Sequence, residues 1–157
     1  MIDYKDIIIS YLKKHNWTIA VIESHSNGMV TNALLINNQL NQLFKGAIIF
    51  KNPDSVNNFL KLNHYQSIDQ NQLWSTDDHN HLSQAANKYF NADLLVNFVH
   101  FDQDKTKQLV FSLIIKDKII EHTIDLSKYQ LDNYIHPVSM IVLNNLVEEL
   151  VAYHEIN

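Results

Sequence analysis

Apolar residues return every three or four positions at the start of the chain. They place Tyr4, Ile8, Tyr11, Leu12 and His15 on one face and predict a helix over 2–15. Asn16 is suited to stop it. The period then shortens: Trp17 to Ile22 is a compact run of β-branched and apolar residues, read as a buried strand. The polar run Glu23-Ser24-His25-Ser26-Asn27 follows, and Met29, Val30, Ala33 and Leu34 resume a helical spacing over about 26–36. An Asn/Gln-rich piece, 37–42, leads to a second strand, Gly46 to Phe50. Pro53 suits the first turn of a helix over 54–62 that buries Val56, Phe59 and Leu60. Residues 63–73 form a polar connection.

Ser75-Thr76-Asp77-Asp78 combines a capping hydroxyl with carboxylates in the first turn, a strong helix start. That helix is expected to bury Leu82, Ala85, Ala86, Tyr89 and Phe90, with His79 and His81 in a solvated first turn. Ala92 to Phe101 is nearly all apolar and reads as a central strand. Strands over 108–116 and 119–126, separated by Asp117-Lys118, pair as a hairpin. A last helix runs from about Pro137 to His154, burying Val138, Ile141, Val142, Leu146, Leu150 and Val151. Lys13-Lys14 and Glu148-Glu149 read as solvated helix faces. The order αβα–βα–α–βββ–α predicts an α/β chain: a three-layer α/β/α sandwich around a mixed, mostly parallel five-stranded sheet, with the hairpin supplying one antiparallel strand.

Composition narrows the function. At 157 residues the length fits one domain, and 46% hydrophobic with 18% charged residues is ordinary for a globular protein. A net charge of −5 without a basic cluster argues against a nucleic-acid partner. No apolar run has the length of a membrane span and no signal peptide is visible; with no Cys, this fits a cytoplasmic address. All 12 basic residues are Lys, so no guanidinium fork is available to grip phosphate or carboxylate. With only 2 Gly, a glycine-rich phosphate cradle cannot be built. No cofactor is expected, and a homo-oligomer is, an edge of the last helix being one candidate seam.

The candidate chemistry lies where strand, polar elbow and helix succeed one another. There Ser24, Ser26 and the first N–H groups of the second helix face one end of the sheet, a ready anion site for a small nucleotide or anionic ligand lined by Glu23, Ser24, His25, Ser26 and Gly28. The blander alternative is that one serine merely caps the helix. Glu23 is suited to brace the elbow by accepting its N–H groups. If the first and third strands are neighbours, His25 and His100 emerge at one sheet edge beside Asp102, where they could hold a metal or share a proton. Solvated loop histidines are the alternative.

The stretch Ile19-Ala-Val-Ile-Glu-Ser-His-Ser-Asn-Gly28 resembles the A-E-S-C-T-G-G signature of the C-terminal domain of the competence-damage-inducible protein CinA. The similarity continues through Phe44–Asn52 (family G-x-V-x-Y-S-N), Leu73–Thr76 (G-A-V-S-E) and Phe90–Leu94 (F-G-A-D), covering nearly the whole chain. The resemblance implies an α/β/α fold, often a homodimer, and hydrolysis of the amide of nicotinamide mononucleotide by a Ser nucleophile with a Lys base and a nearby Tyr. The sequence departs from that pattern at the reacting positions. The Tyr is Phe50, the Lys is Ser55, and the upstream Ser falls near Leu40 and Asn41. The T-G-I-A-G-P loop is Val99 to Asp104, without either Gly, and the late Arg has no counterpart. Glu23, Ser24 and Gly28 survive, with Ser26 standing for Thr. A serine hydroxyl without a base in reach is a very weak nucleophile, so a divergent, catalytically inactive protein is expected. The alternatives are an amidohydrolase rebuilt around Ser26, His25 and His100, and a structural homo-oligomer without a ligand.

Overall fold

A computed structural model describes residues 3–128 and 135–156. One sheet carries five strands in the order β2–β1–β3–β4–β5. They are β1 (Ile19–Glu23), β2 (Phe44–Ile49), β3 (Leu94–Phe98), β4 (Gln108–Ile115) and β5 (Lys118–Asp125). β1 pairs in parallel with both β2 and β3, whereas β4 runs against β3 and β5. β4 is thus the lone reversed strand, as the hairpin predicts.

The helices are α1 (Tyr4–His15), α2 (Met29–Leu35), α3 (Pro53–Leu62), α4 (Thr76–Phe90), α5 (Gln103–Thr106) and α6 (Ile135–Ile156). Alternation along β1 sorts them into two layers. Ile19 and Val21 share a core with Leu12 of α1, Leu34 of α2 and Val142 of α6. Ala20 and Ile22 point the other way, to Leu60 of α3 and Leu82 of α4. This is the expected three-layer sandwich. α5 was not foreseen, and α6 begins two residues before Pro137. Ile2, placed in the first helix by periodicity, lies outside the described residues.

Helix starts follow the local signals. Ser75 accepts from the Asp78 N–H at 3.1 Å and donates its own N–H to the Asp78 carboxylate at 2.8 Å, a reciprocal cap. Asn52 accepts from the Ser55 N–H ahead of Pro53. Away from the elbow, three burial expectations fail. Tyr89 is 58% exposed: its ring edges against Phe59 and Phe90, and Phe90 takes the place beneath Gly46. Val151 is 52% exposed because the buried stripe of α6 steps through Val142, Leu146 and Leu150, leaving the next position a third of a turn away. Glu149, expected in solvent, is half-buried against His122.

Asp93, in the stretch resembling F-G-A-D, ties three strands together at the opposite end of the sheet from the elbow. Its carboxylate accepts from the Thr18 N–H at 2.8 Å and from the Lys116 ammonium at 2.6 Å. Burial alone would push its pKa up, but those bonds more than offset that and hold the carboxyl below its usual range. Gly46 serves the edge strand differently. The β1–β2 register slips between Ile19 and Ala20, and Gly46 sits at this irregularity with φ +148. A Cβ there would stand 2.9 Å from the Phe90 ring. Gly46→Ala is expected to cost about 2 kcal/mol in urea denaturation, through backbone strain and ring displacement, against under about 0.5 kcal/mol for the neighbouring Lys45→Ala.

Candidate functional site

β1 and β3 are parallel neighbours, so residues following their C-terminal ends meet at one edge of the sheet. The chain reverses direction there through Asn27 (φ 54) and Gly28 (φ 88), both left-handed, before α2 begins. This is the position at which an open α/β sheet usually opens a ligand crevice. In this chain the first α2 donors at that edge are taken by a side chain of the chain itself.

Glu23 is wholly buried, and its carboxylate does what the sequence assigned to a ligand. Oε1 accepts from the Ser26 hydroxyl at 2.5 Å and the Val30 N–H at 3.1 Å. Oε2 accepts from the Thr31 N–H at 2.8 Å and from the Thr31 hydroxyl. The first N–H groups of α2 therefore already face an anion, supplied seven residues upstream. Neither serine caps the helix: its cap residue is Gly28, which has no side chain to offer. The bracing role read for Glu23 is what the geometry shows.

Ser24 is also committed. Its hydroxyl donates to the His100 carbonyl at 3.1 Å and accepts the His100 N–H at 2.9 Å, while its own N–H reaches the Phe98 carbonyl. These bonds extend the β1–β3 pairing past the strand ends and close the gap between them. Both serines are nearly inaccessible. Lys51 donates its ammonium to the Asn27 side chain at an exposed position.

His25 and His100 do meet at this edge, near enough for the charge of one to act on the other. Asp102 follows in the same loop, but its carboxylate accepts the Trp74 N–H at 2.8 Å. Among the described residues no group of three His, Asp or Glu side chains stands close enough to hold a metal ion, so His25, His100 and Asp102 are not gathered around a common point. What His100 does face is His79. Their rings stack with centroids 5.3 Å apart and planes 16° from parallel. Trp74 closes over His79 edge-on at 5.4 Å and over Phe101 at 5.6 Å.

The burial of His79 reverses the expectation of a solvated first turn. His79 lies three residues before Leu82 and seven before Ala86, on the inward stripe of α4, a spacing that could have revealed it. Its carbonyl accepts from Asn97, whose amide also reaches Ser83. His81 points elsewhere, to the Gln66 carbonyl. Burial pushes the His79 imidazole down to about 4, His100 adding to the fall and Asp102 and Asp78 opposing it. Burial likewise lowers His100, with Asp102 opposing. Nε2 of His79 is buried without a hydrogen-bond partner, and the His100 ring lies by the Gln108 backbone. The pair is therefore neutral and shut away at pH 7.

The positions at which the sequence departs from the resembled pattern are likewise absorbed by the fold. Phe50 is buried against Phe59, and the Ser55 hydroxyl donates to the Asn52 carbonyl in the first turn of α3. Cavities open elsewhere. One of about 200 Å³ lies between α2 and α6, lined by residues including Met29 and Leu143. A wider hollow of about 670 Å³ borders Asn16 and Leu40–Leu43. Neither is lined by Ser24, His25, Ser26 or His100. Among the described residues no helix is long and apolar enough to cross a membrane.

No protein-family model matches the sequence, and no curated protein matches it. Solved structures do match the fold. The competence damage-inducible protein A from Klebsiella pneumoniae subsp. pneumoniae is similar with a TM-score of 0.78 at 13% identity, over 94% of this chain and 95% of that one. The competence or damage-inducible protein from Enterobacter asburiae gives 0.74 at 14% identity, over 94% and 96%. The competence/damage inducible protein CihA from Agrobacterium tumefaciens gives 0.71 at 11%, over 95% and 92%. The fold is that of these proteins, along nearly the whole length of each.

Proposed function

We propose that this chain is a divergent member of the CinA superfamily in which the edge of the sheet that would carry a reaction holds the fold together instead. One observation carries this reading: the Glu23 carboxylate occupies the α2 donors and takes the Ser26 hydroxyl at 2.5 Å. An incoming phosphate or carboxylate would have to displace a buried, fully bonded anion to reach those donors. A nucleophilic serine would have to leave Glu23 or break the β1–β3 clasp. The protein then acts through its surface, in regulation or assembly. Met140 and Val151, both exposed on α6, give a second copy of the chain an apolar seam, which light scattering across a dilution series tests.

A second reading draws support from the buried imidazole of His100 at this edge and the closeness of His25. It is an amidohydrolase on nicotinamide mononucleotide with a histidine base and Ser26 as nucleophile. Ammonia release separates the two. The non-catalytic reading expects no turnover above a heat-treated sample and no change on Ser26→Ala. Turnover that disappears in Ser26→Ala and in His100→Ala would replace it with the enzymatic one.

A further inference from the structure

At the opposite end of the molecule from the elbow, α1 and α6 end side by side. His15 is the last residue of α1 and His154 lies in the last turn of α6. Their Nε2 atoms are 2.9 Å apart, across 139 residues of sequence. The ring centroids are 4.4 Å apart and the planes cross at 44°. A head-on N–H···N pair would set the rings farther apart, so the two lone-pair axes are inclined to each other. Tyr11 packs at a tilt against both imidazoles, at 4.4 and 5.1 Å, and Trp17 lies 6.0 Å from the His15 ring with Tyr153 against it. The rings are therefore held by packing while their nitrogens stay open to solvent.

We infer that His15 and His154 form a two-imidazole site for a divalent transition ion of the copper and nickel kind, clamping the last helix to the first. Two imidazole nitrogens each about 2.0–2.1 Å from one ion and separated as here subtend about 90° at it, the angle of neighbouring ligands in a tetragonal or octahedral centre. Tetrahedral zinc would need them farther apart. Water completes the coordination from the open side. The location favours a cation for a second, independent reason: both imidazoles sit at helix C-termini, where the negative ends of two dipoles converge. An ion bound across two helices that separate on unfolding stabilises the folded chain alone.

The test is a copper(II) and nickel(II) titration of the full chain without an affinity tag, at pH 7.5. The expected result is one ion per chain, a rise in melting temperature of about 5 °C at a hundredfold excess over Kd, and a copper spectrum showing two nitrogen couplings. His15→Gln and His154→Gln should each weaken binding at least tenfold and reduce the spectrum to one nitrogen or none. The exposed His64→Asn should leave both unchanged. Unaltered copper binding in both substituted chains, or a one-nitrogen spectrum in the unsubstituted protein, overturns the assignment. Neither outcome bears on the elbow, which contains neither residue.

Discussion

Glu23→Ala is expected to destabilise the chain by about 4 kcal/mol or more, a large share of the roughly 5–15 kcal/mol that holds a domain of this size. The physical reason is the number of donors left behind. The Val30 and Thr31 N–H groups and the hydroxyls of Ser26 and Thr31 all point at one carboxylate. Leaving a buried donor unpaired costs about 1–3 kcal/mol, and the site is too enclosed for solvent to replace four bonds at once. Glu23→Gln keeps the shape but turns an amide NH2 toward groups that can only donate or prefer to. It should cost about 2 kcal/mol, with amide exchange at Val30 and Thr31 accelerated. Ser26→Ala removes one donor from a carboxylate that keeps three, and about 1 kcal/mol is expected. Urea denaturation orders the three variants. If Glu23→Ala cost no more than Ser26→Ala, the carboxylate would not be the anchor of α2.

Acid should destabilise the protein through its stacked histidines. His79 is held near 4 in the folded chain and titrates near 6.5 once unfolded; His100 is lowered in the same direction. Above pH 6.5 both are neutral in either state and contribute no slope. Below it the unfolded chain takes up protons that the folded chain refuses, so stability falls as pH falls, until His79 itself protonates near 4. The loss attributable to His79 is on the order of 3 kcal/mol between pH 7 and 4. His79→Phe keeps an aromatic ring beneath Trp74 and removes the titration. Urea melts at pH 7.5, 6, 5 and 4.5 should therefore show a shallower decline for the variant than for the natural chain. Parallel declines would mean that His79 is hydrated and titrates freely in the folded protein.

These effects bear on what the residues of the elbow do for the fold. Glu23 and Ser24 match the resembled signature and Ser26 stands where it has Thr, yet each is hydrogen-bonded inside the molecule. Phe50 and Ser55 show the same at the positions where tyrosine and lysine would stand, one in the core and one in a helix cap. A retained motif therefore says where the chain turns, not what it reacts with.

Read without its fold, the sequence determined what depends on neighbours along the chain. Helix periods, the Ser75–Asp78 cap, Pro53 in a first turn, the β4–β5 hairpin and the strand–elbow–helix unit all arise from residues within a few positions of one another, so their spacing alone carries the information. The tertiary structure alone decided which groups saturate one another. Ser24 meets the His100 backbone across 76 residues, His79 finds His100 across the sheet edge, and His154 closes on His15 from the far end of the chain. Those pairings follow from strand order and helix packing, which bring together positions whose separation in sequence has no period to read. The expected anion site shows the consequence. Local pattern exposes the donors of α2, but only the folded chain shows Glu23 already seated on them.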